Sequence, residues 1–206
     1  MRVGNERMDI MTRIIAVMAL AFALGGCVAG YTLVKPEPVS VAAGSMKVKP
    51  AIAWNKVPRS GLDIPKEESW TQNGALLDSI TFIGGLNDGE AITKQRPKDD
   101  RKVPVFRSDM TPQDLVSMIE SLYRIRGQIS VFETNGVKPT TFLGQQGIEF
   151  DFSFVGADDV KRRGRSVLTI VNGKFYVIAL EGTALHYFEA ALGEFHSLAA
   201  SATVTS

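Results

Sequence analysis

Apolar and polar residues alternate strictly from Ile148 to Phe154, where Ile148, Phe150, Phe152 and Phe154 interleave with Glu149, Asp151 and Ser153. A period of two predicts a strand with one buried face. Val167–Val171 and Phe175–Leu180 are apolar on both faces, as expected of strands that are central or covered on both sides, and Asn172-Gly173 between them suits a two-residue type I′ turn. Ile129–Phe132 predicts a short strand. Leu76–Ile83 predicts another, bounded by Gly74 and Gly84-Gly85, with Leu76, Ile80 and Phe82 on one side and Leu77 and Ile83 on the other. Met46, Val48, Ile52 and Trp54 also alternate, although Pro50 confines such a strand to a sheet edge.

Two segments switch to a helical period. Thr111-Pro112-Gln113-Asp114 places Thr at the N-cap, Pro at the first helical position and an acid near the positive end of the helix dipole. Leu115, Met118, Ile119, Leu122 and Tyr123 then follow at steps of three and four, Glu120 and Arg124 form an i,i+4 pair, and Gly127 supplies the stop. The second helix follows Thr183, with Leu185, Phe188, Leu192, Phe195 and Ala199 as its apolar stripe. Between Asn87 and Ser108, Lys94, Arg96, Lys98, Arg101 and Lys102 are interrupted by Asp99 and Asp100, and Pro97 and Pro104 break any helix, so a solvated loop is expected.

Strands, a helix, antiparallel strands and a closing helix make an α+β class, an antiparallel sheet with helices packed on it. The alternating strand, the hairpin around Asn172-Gly173-Lys174-Phe175-Tyr176 and the helix running to Ser201 resemble the Mog1/PsbP-like fold over about the last ninety residues. That resemblance implies a sandwich, and a binding or assembly module rather than an enzyme.

The N-terminal segment has a different character. Arg2, Arg7 and Arg13 precede the continuous apolar run from Ile14 to Leu24, which ends in Leu24-Gly25-Gly26-Cys27. The run is too short to span a ~30 Å hydrocarbon core, which takes roughly 20 helical residues; it has the form of an export signal. The tetrapeptide resembles the lipobox of bacterial lipoproteins. This implies cleavage before Cys27, acylation of its thiol by fatty chains such as palmitate, and anchorage in the cell envelope. Val28, in place of Asp, further implies the outer membrane, with the protein facing the periplasm. The expected organisation is a signal peptide over 1–26, an acylated Cys27 with a flexible Gly/Ser/Ala/Pro-containing tether over 27–49, and a single α+β domain over 50–204. Because the chain has 1 cysteine, no internal disulfide can hold that domain.

Charge removes one class of function. Of 23 basic and 22 acidic residues, three arginines and two acids fall in the signal, so the remainder is formally neutral; a nucleic-acid partner, which calls for a basic excess, is not expected. Catalytic and metal chemistry find little support. His186 and His196 lie about 80° off a shared helical face, zinc would want further His or Cys at close spacing, and there is neither a Gly-x-Ser-x-Gly nor a phosphate-binding loop. Glu149 and Asp151 project to the same side of one strand, about 7 Å apart along it, a spacing open to acid/base work but more often a solvent face. No enzyme activity and no cofactor are therefore expected.

Lys161, Arg162, Arg163 and Arg165, after Asp158-Asp159, form the candidate partner-binding cluster, together with the loop from Lys94 to Lys102. Two functions remain. The expected one is a non-enzymatic domain that binds or assembles envelope proteins, which accounts for the missing chemistry and for the tether and anchor; the alternative is a module for a small ligand or lipid. A closed core favours the first and an open apolar cavity the second. Cys27→Ser is predicted to block acylation and leave the protein unprocessed or soluble; unchanged co-fractionation with membranes would refute the anchor.

Overall fold

The computed structural model describes residues 30–97, 100–127, 129 and 131–205. The signal peptide and Cys27 lie outside the described residues. Eight strands form one antiparallel sheet: β1 (Thr32–Val34), β4 (Trp54–Lys56), β5 (Glu67–Thr71), β6 (Asp78–Leu86), β7 (Phe132–Phe142), β8 (Gln145–Val155), β9 (Lys161–Val171) and β10 (Lys174–Thr183). Their order across the sheet is β1-β4-β5-β6-β10-β9-β8-β7. A smaller sheet, in the order β11-β3-β2, joins β2 (Val39–Val41), β3 (Met46–Val48) and β11 (Thr203–Val204). Among the described residues two α-helices, α1 (Pro112–Gly127) and α2 (Tyr187–Ser201), complete the α+β architecture.

Side-chain alternation in the central strands divides the interior in two. From β6 and β10, Ile80, Phe82, Tyr176, Ile178 and Leu180 point to one face and join Phe188, Phe195 and Leu198 of α2 and Val41, Met46 and Val48 of the small sheet. On the opposite face Ile83, Phe175, Val177 and Ala179 pack with Leu115, Met118, Ile119 and Leu122 of α1. Each fully buried Phe contributes about 1.5–3 kcal/mol. The two helices thus cover opposite faces of the sheet, which explains why β9 and β10 are apolar on both sides.

Local signals shape the elements as expected. Asp114 N–H donates to Thr111 Oγ1 at 3.2 Å, and the Asp114 carboxylate accepts from Thr111 N–H at 2.9 Å, a reciprocal cap on α1. Asn172 and Gly173 have φ of 50° and 72°, as a type I′ turn requires. Glu120 and Arg124 pair at 2.8 Å.

Four expectations need correction. Within the expected tether, residues 32–48 form three strands, with Val41 and Met46 fully buried. Their hairpin turns through Ala42 and Ala43 at φ of 51° and 56°, a conformation that the alanines do not announce. The single strand expected from Met46 to Trp54 is instead two strands in different sheets: Lys49 N–H donates to Ser201 Oγ (2.9 Å) and Ala51 N–H to Glu194 (2.8 Å), tying the intervening segment to α2. The segment around 87–108 is not simply solvated, because Ile92 and Phe106 are buried and Ala91 bridges Val105. Strand β7 runs for 11 residues, far beyond Ile129–Phe132. Its register shifts between Asn135 and Lys138, Gly136 takes φ of 63°, and Pro139 is accommodated because the strand lies at the sheet edge.

Boundaries shift as well. Leu76 and Leu77 lie outside β6 and are exposed, while Gly84-Gly85 lies inside it. Leu185 precedes α2 and is exposed rather than part of its buried stripe.

An aromatic stack covers the β8–β9 pair. The rings of Phe152, Phe132 and Tyr123 of α1 meet in a triangle, with centroids 5.2 Å (Phe152–Phe132), 4.7 Å (Phe152–Tyr123) and 5.5 Å (Phe132–Tyr123) apart. The cross-strand partner of Phe152 is Gly164. A Cβ at Gly164 would fall 2.0 Å from the Phe152 ring, so the ring takes the space a side chain would need. Gly164→Ala is predicted to lower stability by about 1–3 kcal/mol, measured as a lower urea midpoint; an unchanged midpoint would contradict this packing.

Candidate functional site

The expected basic cluster does not form one surface. Alternation along β9 sends Lys161, Arg163 and Arg165 to the α2 side of the sheet and Arg162 to the α1 side. Arg163 pairs with Glu189 of α2, its guanidinium 4.5 Å from the Phe188 ring centre. Arg165 forks onto Asp151 at 2.6 and 2.9 Å, and Glu149 pairs with Lys138 at 2.9 Å. Glu149 and Asp151 are thereby held by cations. His196 lies beside Arg165, whereas His186 packs its ring against Tyr187. In the polar loop, Arg96 turns inward to Asp63 at 3.0 Å rather than presenting its charge outward.

Arg162 instead contributes to a cleft of about 500 Å³ beneath α1, open to solvent. The walls are apolar, formed by Ile83 of β6, Val177 and Ala179 of β10, and Ile119 and Leu122 of α1. Its floor comes from the polar positions of the same strands, Ser69 of β5, Ser79 and Thr81 of β6, and Glu181 of β10. Alternation explains this mixture: each of these residues lies on the α1 face of the sheet, in register with the apolar residues of core strands. Leu76, Ala75, Gly156 and Ala157 lie at the lip, between the β5–β6 and β8–β9 connections.

Two arginines flank the floor, each committed to a carboxylate. Arg126, in the last turn of α1, forks onto Glu67 at 2.6 and 3.2 Å, and its Nε lies 3.3 Å from Asp63, an ionic contact without hydrogen-bond alignment. Asp63 is also bonded by Thr93 and Arg96. Burial alone would raise the Asp63 carboxyl, but Thr93 and the two guanidiniums outweigh it and hold the group below the ordinary carboxylate range. Arg162 places Nη1 and Nη2 each 2.8 Å from the Asp158 carboxylate and donates from Nη2 to the Leu76 carbonyl at 3.0 Å. The Arg162 hydrogen bonds hold Asp158 far below its usual pKa, and the Asp158 hydrogen bonds in turn raise that of Arg162. These bidentate pairs pin α1 and the β8–β9 turn at opposite sides of the cleft.

Glu181 is differently placed. It stands with Tyr123 and Ser79 among the residues that line the cleft, and the charges of Arg162 and Arg126 act on it through space. It is half-buried and borders the cleft. Burial pushes its carboxyl above the usual range despite those charges. Burial likewise raises the Tyr123 phenol well above its ordinary value, and the adjoining Glu181 adds to the effect. The arrangement offers a ligand an apolar volume with one carboxylate and several hydroxyls at its floor.

Of this site the sequence singles out Arg162, as one of a basic cluster, and not the cleft it enters. Glu181 follows the apolar run of β10 and Tyr123 the stripe of α1, so each resembles the polar end of an ordinary core element. The available signal was an acid in register with buried residues: Glu181 sits two residues after Ala179 and four after Val177.

No protein-family description matches the chain, and no curated protein matches it. Among solved structures, cyanobacterial PsbP (CyanoP) from Synechocystis sp. PCC 6803 matches 88% of this chain and 96% of its own, with 15% identity and a TM-score of 0.53. The Saccharomyces cerevisiae Ran-binding protein Mog1p matches 85% of this chain and 96% of its own, with 12% identity and a TM-score of 0.46. LpqN, involved in cell envelope biogenesis of Mycobacterium tuberculosis, matches 88% of each chain with 12% identity and a TM-score of 0.34. The likeness to Mog1p and LpqN is too loose to support an argument. The match to CyanoP shows the fold alone: this chain is an α+β protein built on a PsbP-like antiparallel sheet, and the resemblance extends well beyond the last ninety residues.

Proposed function

We propose that this chain is a lipid-anchored protein of the bacterial cell envelope, and that its domain binds a small, largely apolar ligand in the cleft beneath α1 without transforming it. The observation that carries this reading is the open cleft of about 500 Å³, with apolar walls and a few convergent polar groups at its floor. Ligand sites of ~300–1,000 Å³ have this composition. An open cavity is the feature that separates a ligand-binding module from a domain with a closed core.

Anchorage through Cys27, and a place in the outer membrane facing the periplasm, rest on the lipobox resemblance. Among the described residues no helix is long and apolar enough to cross a membrane. The non-enzymatic reading is supported by the paired state of Glu149 and Asp151, whose oxygens are engaged by Lys138 and Arg165.

A protein partner is a second reading, favoured by one observation. Leu76, Leu77, Val155 and Leu185 are exposed at one end of the sheet, where Thr183 N–H donates to the Leu77 carbonyl and Ala184 N–H to the Lys161 carbonyl. Cross-linking in intact cells tests it: an envelope protein captured by the native chain should be lost on replacing Leu76 and Leu185 by Asp. Capture unaffected by those replacements rules this surface out.

The ligand reading is tested by native mass spectrometry of the protein drawn from membranes. A bound small molecule is expected, and Ala75→Trp with Ala157→Trp, which blocks the cleft at its exposed lip, should remove it. A mass without adduct in the native protein, or an adduct retained by the blocked variant, overturns the reading. Glu181 supplies a stability test with a defined sign. Its raised pKa means that the native carboxyl keeps a proton that the unfolded chain releases above about pH 4.3, so stability falls as pH rises from there through the native pKa. Glu181→Gln is expected to match the native protein near pH 4 and exceed it at pH 8 in urea midpoint; a lower midpoint at pH 8 would show that the ionised carboxylate is net stabilising.

A further inference from the structure

The walls of the cleft define the body of its ligand, and its charges define the head. Three carboxylates line it, Glu67, Asp158 and Glu181, against two guanidiniums, Arg126 and Arg162. Arg126 spends Nη1 and Nη2 on Glu67, and Arg162 spends its own pair on Asp158. Each arginine is thus neutralised by a partner that holds it at the margin. An anionic head would have to displace a bidentate carboxylate or share its cation.

Of these three carboxylates, Glu67 and Asp158 have an ion pair and Glu181 has none among the described residues. Tyr123 from α1 and Ser79 from β6 line the same cleft beside it. A carboxylate has about four lone-pair sites, more than two neighbouring hydroxyls could fill, which leaves capacity for a donor that arrives through the cleft. The charged and titratable groups acting on it are Arg162 from β9 and Arg126 and Tyr123 from α1. Among the described residues none gives this half-buried carboxylate a direct ion pair, and an ionised acid partly removed from bulk water is costly until one forms.

Resting on the ligand-binding reading above, we propose that the cleft selects molecules with an apolar body and a cationic, hydrogen-bond-donating head, the class of primary alkyl amines, whose ammonium seats on Glu181 beside Tyr123 and Ser79. The body lies along Ile83, Leu122 and Val177. Ammonium has three donors and no acceptor, which suits a floor where a carboxylate and the hydroxyl oxygens of Ser69, Ser79 and Thr81 can accept. An alcohol can donate one hydrogen bond but brings no charge.

The test compares three probes with one tail, octylamine, octan-1-ol and octanoate, binding to the full lipidated protein in phospholipid nanodiscs at pH 7.5. Calorimetry is run with empty discs as the blank. Octylamine is expected to bind about tenfold or more tightly than either of the others, and the preference should collapse in Glu181→Gln and persist in part in Glu181→Asp. Circular dichroism of both variants confirms folding. Octanoate binding tightest, or an amine preference retained by Glu181→Gln, overturns the assignment of the head and leaves the cleft as a site for another ligand. Absence of binding by all three probes, with no co-purifying molecule by mass spectrometry, overturns the ligand-binding reading together with it.

Discussion

Strand β10 is the constraint on which the rest of the structure depends. It pairs with β6 on one side and β9 on the other, so its position in the sheet is fixed by two ladders. Its successive side chains must then enter two different interiors. Tyr176, Ile178 and Leu180 serve the core beneath α2 and the small sheet, while Phe175, Val177 and Ala179 serve the core beneath α1. A slip of one residue would exchange these sets, placing Glu181 against α2 and removing it from the cleft. Register and site are consequently the same specification.

The cleft exists because the α1 face is not filled to its end. Apolar residues of β6 and β10 pack against α1, but at Ser79, Thr81 and Glu181 the same strands turn to smaller or polar side chains. Arg126 and Arg162 border this end, and each is part of a connection across elements. Arg126 joins α1 to Glu67 of β5, while Arg162 joins β9 to the Asp158 turn and to the Leu76 carbonyl before β6. Largely buried guanidiniums with bidentate carboxylates are costly to desolvate but geometrically specific. Their effect here is to hold the margins of an incompletely filled interior in place.

Polar groups on the opposite face do a different job. Arg165 and Arg163 connect β9 to Asp151 and to Glu189 of α2, and Glu194 of α2 receives Ala51 N–H and Trp54 Nε1–H. The basic stretch that begins at Lys161 is thus divided by the pleat between a structural network and the cleft. Its compact appearance in sequence reflects adjacency along the chain, which in a strand is the direction that separates neighbours onto opposite faces.

The sequence by itself determined the strongly periodic elements. The reciprocal cap at Thr111 and Asp114, the stripe of α1, the Asn172-Gly173 turn and the alternation at Phe150, Phe152 and Phe154 are each specified within a window of a few residues, because helix pitch, strand pleat and turn dihedrals are local properties. The tertiary structure alone decided that residues 32–48 are strands, since three-residue strands carry too little pattern to declare themselves and are stabilised by burial of Val41 and Met46 against distant α2. It alone decided the site as well. Ser69, Ser79, Thr81 and Glu181 come from three strands, Tyr123 and Arg126 from a helix, and Arg162 from a fourth strand. Along the chain each is an ordinary polar residue; long-range pairing and the cover of α1 take them out of bulk water and bring them to one cleft, where desolvation changes what a carboxylate and a phenol can do.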